Sequence, residues 1–234
     1  MSVIKLPETD EERIEILRTA AAQEEINEAW DKILSIIELQ ELRVFTTNFE
    51  GAYFVLNQAT ADREKAKSLY DELFKNAQLY ISHFIQVLLL TVIRNEIRAE
   101  NLSLYGLDEI HPVLPDLSTE ESILKWGENL IRGEAERTSR GGIPLYNPAI
   151  AKVKVHYELF KESIQSLSVY EKNLSRLQNT IVDTRERADE LIRKIWTNVE
   201  ERYSRTSAEE QNLRFKTYKM QFYHRKGEQL SVFD

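Results

Sequence analysis

Cysteine is missing from all 234 residues. Its absence excludes disulfides, thiol catalysis and thiolate metal sites, and it fits a reducing compartment. Glycine (7) and proline (5) are too scarce for a turn-dense β protein. No proline at all separates Pro7 from Pro112. Long apolar runs are lacking too. The most apolar, Phe84 to Ile93, is broken by Gln86 and Thr91, whereas a membrane span needs about 18 residues. The opening MSVIKLPETDEERIE holds no apolar h-region, so a leader is not expected. The expected location is the cytoplasm, with no membrane as partner. Finally there is no excess of positive charge. Net charge is −8 and the isoelectric point about 5.3, which weighs against a general phosphate-backbone binder.

What is present is helix-forming. Hydrophobic residues make up 42% and charged residues 30%, a balance that leans towards long, exposed helices. Thr9-Asp10-Glu11-Glu12 is a capping-box pattern and opens a predicted short helix over 10–33. Ser35-Ile36-Ile37-Glu38 repeats the pattern and suggests a fresh start. A single helix running through 35 is the alternative. From there the a positions of a heptad, 42 to 91, hold Leu, Phe, Leu, Arg, Tyr, Ala, Phe and Thr. The d positions, 45 to 94, hold Phe, Ala, Ala, Ala, Leu, Tyr, Val and Arg. One register over that length predicts a single helix over 36–98, roughly 90 Å long.

Residues 100–117 punctuate with Asn101, Gly106, Pro112 and Pro115. Ser118-Thr119-Glu120-Glu121 then caps a short helix over 119–137, which Gly133 is expected to weaken. After Gly141-Gly142-Ile143-Pro144, the pair Asn147-Pro148 reads as an N-cap followed by proline at the first helical position. It opens a second long helix over 147–204. Its d positions from 153 to 195 are all apolar, whereas its a positions become Glu171, Gln178 and Arg185 in the middle.

The predicted fold is all-α. Two long antiparallel coiled-coil helices and two shorter ones form an elongated up-down four-helix bundle over 1–204. A C-terminal extension, 205–234, ends in a short extended tail. Aligning the polar stretch 57–64 with the polar middle of the second long helix places residue 63 near 183. Arg63 should then meet Asp183, and Arg185 should meet Asp62 or Glu64. The apolar girth of Phe84 to Ile93 predicts burial on several sides, under the 119–137 helix and the 100–117 connection.

A resemblance rests on Tyr80-Ile81-Ser82-His83-Phe84-Ile85-Gln86-Val87-Leu88, Tyr105-Gly106-Leu107, Trp126-Gly127-Glu128-Asn129, Gly133-Glu134, Gly141-Gly142 and Asn147-Pro148. Over about residues 36–225 these resemble a family of uncharacterised bacterial helical-bundle proteins. The resemblance implies a bacterial cytosolic protein and a helical fold. It implies no activity, cofactor or catalytic residue.

The chemistry-bearing residues admit two readings each. Di-iron bundles use Glu-x-x-His pairs; the nearest match here is Asp108-x-x-His111, without a partner pair. No HExxH, Walker A, GxGxxG or GxSxG occurs. His83 and His156 form either a paired ligand site or two partly buried structural histidines. Arg137, Ser139, Arg140, Gly141 and Gly142 form either a backbone nest for an anion or a helix stop. Glu24, Glu25 and Glu28 near Trp30 form either a carboxylate cluster or a solvated helix face; the solvated face is expected. Trp126 and Trp196 are expected core anchors. In the tail, Arg214, Lys216, Lys219, Arg225 and Lys226 interleave with Phe215, Tyr218, Phe222 and Tyr223. They suit nucleic acid or a partner surface, or a tail packed on the bundle.

No cofactor or metal is expected, and no residue set supports an enzyme. A pocket gathering His83, His156 and the 137–142 loop would revive that class. The expected function is a non-enzymatic structural or interaction module that binds a protein partner or itself. Nucleic-acid or anion binding through Arg137, Arg140, Lys216, Lys219, Phe222 and Arg225 is the alternative.

Overall fold

The computed structural model describes residues 3–223. It is helical throughout, with helices α1 (Asp10–Ile26), α2 (Ile36–Ile93), α3 (Glu120–Ser139), α4 (Ile150–Tyr203) and α5 (Ala208–Thr217) and a 3-10 helix at Ala99–Tyr105. A two-residue antiparallel ladder joins β1 (Val3–Ile4) to β2 (Phe222–Tyr223). Two compact units emerge. One comprises Met1–Gln58 with Ser175–Asp234, the other Ala59–Leu174. The division falls within α2 and after Leu174 in α4.

The caps fall largely where the residue pattern puts them. Thr9 accepts from Glu12 N at 3.2 Å while Glu12 accepts in return from Thr9 N, also at 3.2 Å. Ser35 and Glu38 make the same exchange, so the chain does break before α2. The break comes earlier than predicted: α1 ends at Ile26, not 33. The cap of α3 sits one residue later than read, with Thr119 as N-cap and Ser122 at the third position. Asp116 explains the shift, because it takes both the N–H and the hydroxyl of Ser118. α4 starts at Ile150 rather than 147. The Asn147–Pro148 peptide is cis, and Tyr146 bridges to Ala149 ahead of the helix.

The first unit is built on the heptad positions of α2 and α4. Leu42, Phe49 and Leu56 are buried, as are Ile181, Ala188, Ile192, Ile195 and Val199. α1 adds Ile14, Ile16, Leu17 and Ala20, and Trp196 lies fully inside. The tail closes this unit. Tyr218 is fully buried and its carbonyl accepts from Trp196 Nε1 at 3.0 Å.

Glu24 is not part of a solvated face. It is fully buried and accepts from Ile33 N and Leu34 N, both at 3.1 Å, and from Tyr218 Oη at 2.7 Å. Its neighbour Trp30 is 73% exposed. One acid therefore caps the loop between α1 and α2 from within and binds the tail to it.

Glu38 ties the start of α2 to α4 through Lys194 Nζ at 2.6 Å. Lys194, then the Ser35 N–H and hydroxyl, hold its carboxyl from the ordinary 4.5 down to about 2. A lowered folded-state pKa means the stabilisation is complete above 4.5 and is lost as pH falls through about 2. Amide exchange at residues 36–39 should therefore accelerate across that window. In Glu38→Gln the first turn of α2 should show no such acid step.

The second unit has a contiguous core of its own. Ile81, Phe84, Ile85 and Leu88 of α2 meet Leu102 and Tyr105, Ile123 and Leu130 of α3, and Val153 and Phe160 of α4. The apolar girth of α2 is buried at Phe84, Ile85 and Leu88 as expected, while Leu90 and Ile93 are exposed. α2 is also, among the described residues, the one helix apolar enough by length and composition to cross a membrane. An 18-residue window has mean hydropathy 1.4, and 33% of it is buried inside the protein. Gly133 does not merely weaken α3. A Cβ there would lie 2.6 Å from the Tyr105 ring, so the glycine permits close approach.

The expected pairing of polar stretches is corrected. Arg63 meets Glu64 at 2.7 Å and Glu171 at 3.5 Å, not Asp183. The aromatic contacts of Tyr70 and Phe74 with Phe160, each at 5.5 Å, set the alignment in this unit. Arg185 meets neither Asp62 nor Glu64. It grips Asp10 of α1 at 2.7 and 2.8 Å, while Arg13 binds Asp189 at 2.8 Å. The polar a position of α4 is satisfied by the N-terminus of a third helix.

Candidate functional site

The last turn of α3 carries Arg137 and the loop after it Arg140, Gly141 and Gly142, and the second unit brings all four to one cavity of about 1090 Å³. α2 contributes Val87 and Thr91 to its wall; Ile97 and Arg98 follow from the turn beyond. The loop 140–147 forms the other side. His83 and His156 do not reach it.

A buried polar cluster shapes that loop. Glu134 and Arg137, one turn apart on α3, are 1% and 5% exposed. Arg137 Nη2 donates to Glu134 Oε1 at 2.8 Å, and Arg137 Nε donates to Tyr105 Oη at 2.7 Å. Tyr105 in turn donates to Glu134 Oε2. Both charged groups reach on to the loop. Glu134 Oε1 accepts from Leu145 N at 2.9 Å, and Arg137 Nη2 donates to Ile143 O at 2.8 Å. Burial, and then the Glu134 carboxylate, push the Tyr105 hydroxyl well above the usual phenol range, so it stays a neutral donor. Ile143 and Tyr146 are thereby held outward, 80% and 88% exposed.

The loop is not the backbone nest that the glycines suggest. Gly141 N donates to Thr138 O at 3.0 Å and Gly142 N to Arg137 O at 3.1 Å. With Gly141 at φ 90°, these bonds end α3 by satisfying its last carbonyls. Arg140 is paired with Glu136. Any anion here would be met by side chains, not by a cradle of N–H groups.

The histidines do not form a pair site. His83 is exposed, while His156 stacks on Tyr80 with centroids 4.0 Å apart, and its Nδ1 is buried without a partner. Asp108 Oδ1 caps its own loop, accepting from Ile110 N and His111 N at 2.7 and 2.9 Å. Among the described residues no group of three or more His, Asp and Glu is placed for a metal ion.

The basic tail is folded into the first unit. Lys219 bonds Glu15, and Arg214 pairs with Asp31 at 2.8 Å and lies over the Tyr203 ring. Tyr203 donates to Asp31 at 2.7 Å, and burial followed by that carboxylate raises its pKa to about 12. Lys216 is also engaged. Phe222 packs on Phe215 with centroids 5.5 Å apart. Arg225 lies outside the described residues. Of the cations that suggested a nucleic-acid surface, Arg214 and Lys219 are committed to nearby acids.

Sequence reading missed Tyr105, Glu134, Glu24 and Asp31. Glu134 and Arg137 at a spacing of three carry a faint signal, but nothing local marks such a pair as buried. Comparison of the chain with protein-family models finds no match, and comparison with curated proteins and with solved structures finds none either.

Proposed function

We propose that this chain is a non-enzymatic interaction module that associates with a second copy of itself. It is, in this reading, a cytoplasmic bundle whose long helices pair as an antiparallel coiled coil, in line with the resemblance to bacterial helical-bundle proteins. One observation carries the interaction. Ile37, Val44 and Val55 of α2 are 72%, 51% and 48% exposed. At 100° per residue they fall within about 20° of one another on the helix. Gly51 lies on the same stripe, and nothing stands within 4 Å of where its Cβ would be. Ile26, Trp30 and Ile36 add exposures of 77%, 73% and 86% just ahead of it.

Apolar side chains aligned in this way favour a partner helix. Nearby charge is mixed. Arg43 pairs with Glu25, and Arg18 with Glu50 at 2.7 Å. A second copy would offer the same alternation of signs, which makes the surface self-complementary.

The variant Ile37→Ser/Val44→Ser/Val55→Ser should lose association by about tenfold or more. Its thermal midpoint should be unchanged, because the side chains are exposed. Size-exclusion chromatography with light scattering reads the first, circular dichroism the second. Undiminished association would remove the stripe from this role.

A further inference from the structure

The cavity of the second unit has a feature that loop architecture does not use. Arg137 lines it while being only 5% exposed. Its Nε and Nη2 are committed to Tyr105, Glu134 and Ile143. Among the described residues no acceptor meets its Nη1. Gly142 keeps that nitrogen uncovered, since a Cβ there would stand 2.8 Å from Nη1 and 2.9 Å from Arg137 O.

A second cation faces the same space. Arg98 lines the cavity, is exposed, and has no carboxylate partner among the described residues. Val87, Ile97 and Leu145 add apolar side chains to the same lining. Two exposed acids, Glu96 and Glu100, also line it and oppose a polyanion. A solute without an acceptor would leave the Arg137 donor unanswered, and a neutral acceptor would answer it more weakly than an anion does. A single negative charge on an apolar body fits all of these.

We propose that the cavity binds a small amphipathic monocarboxylate. Its carboxylate lies on Arg98 and Arg137 Nη1, and its apolar body lies on Val87, Ile97 and Leu145. The volume of about 1090 Å³ is slightly above the usual range of ligand cavities, about 300–1,000 Å³. Charge-assisted hydrogen bonds to two guanidinium groups supply orientation. The site lies in the second unit, whereas the self-association stripe lies in the first, so either can fail alone.

Titrating the full chain with hexanoate, hexanol and inorganic phosphate, followed by calorimetry and by the Arg137 Nε–H and Leu145 amide resonances, tests it. Hexanoate is expected to bind saturably in the range of ~1 mM or tighter and to move both resonances. Hexanol and phosphate should bind at least about tenfold more weakly. Arg98→Gln, at an exposed position, should weaken hexanoate about tenfold or more with its thermal midpoint unchanged. Gly142→Ala should also weaken it by covering Nη1. Equal binding of hexanol would overturn the proposal in favour of apolar partitioning. Equal or tighter binding of phosphate, undiminished binding by Arg98→Gln, or no saturable hexanoate binding up to roughly 10 mM would overturn it outright.

Discussion

Glu24→Ala is expected to destabilise the first unit by on the order of 4 kcal/mol. The side chain is fully buried, and four donors converge on it: Ile33 N, Leu34 N, the Tyr218 hydroxyl and Asn27 Nδ2. Removing the acceptor strands the first three, at about 1–3 kcal/mol each before relaxation, while Asn27 Nδ2 keeps the Tyr218 oxygen as acceptor. Tyr218→Phe removes one donor to Glu24 and the acceptor of Asn27 Nδ2 but leaves the Ile33 and Leu34 bonds intact, so about 1–2 kcal/mol is expected. Urea unfolding followed by circular dichroism gives both values. Amide exchange localises the effect: Ile33 and Leu34 should lose protection in Glu24→Ala and keep it in Tyr218→Phe. A loss below about 1 kcal/mol in Glu24→Ala would mean that the acid behaves as the solvated face its sequence suggested.

The second large effect concerns the pair beneath the cavity. Glu134→Leu and Arg137→Met should each cost roughly 3–5 kcal/mol, because each leaves a charge buried without its counterpart. Replacing both together should cost less than either alone, since desolvated charges are removed along with their attraction. The double variant will not reach wild-type stability. Leu145 N, Ile143 O and the Tyr105 hydroxyl still lose partners. A double-mutant cycle by urea denaturation measures the coupling. Additive losses would contradict a coupled pair. In all three variants the Leu145 amide should exchange faster, and Ile143 and Tyr146 should lose their fixed outward placement.

The two networks explain why the sequence was legible in some places and not others. The heptad at 42, 49, 56, 77 and 84 predicts burial from spacing alone, and all five are buried. Caps are equally local: Thr9 with Glu12 and Ser35 with Glu38 need no information beyond four residues. Glu24 is different. It stands among Glu25 and Glu28 and looks like any acid on a helix face, while its partner Tyr218 arrives from 194 residues away. Arg185 fails for the same reason. Its counterpart is Asp10, 175 residues distant, so matching polar stretches on the two long helices paired it wrongly. Aromatic packing of Tyr70 and Phe74 on Phe160 fixes the alignment in the second unit, and no charge count reveals that.

The candidate site was half visible. Arg137, Arg140, Gly141 and Gly142 were grouped from sequence because glycines and arginines cluster there, and they do share one cavity. Of the two readings given to them, the helix stop is the one the hydrogen bonds follow. Their N–H groups close the helix, and Arg137 is drawn inward by Glu134. The tail also had two readings, a surface for nucleic acid or a partner and a segment packed on the bundle, and Arg214 and Lys219 answer Asp31 and Glu15 as in the second.

Sedimentation equilibrium of the wild-type chain over a wide concentration range tests self-association most directly. A weight-average mass rising from the 27.4 kDa of one chain towards twice that value is the expected result. A mass that stays at 27.4 kDa at every concentration would contradict it.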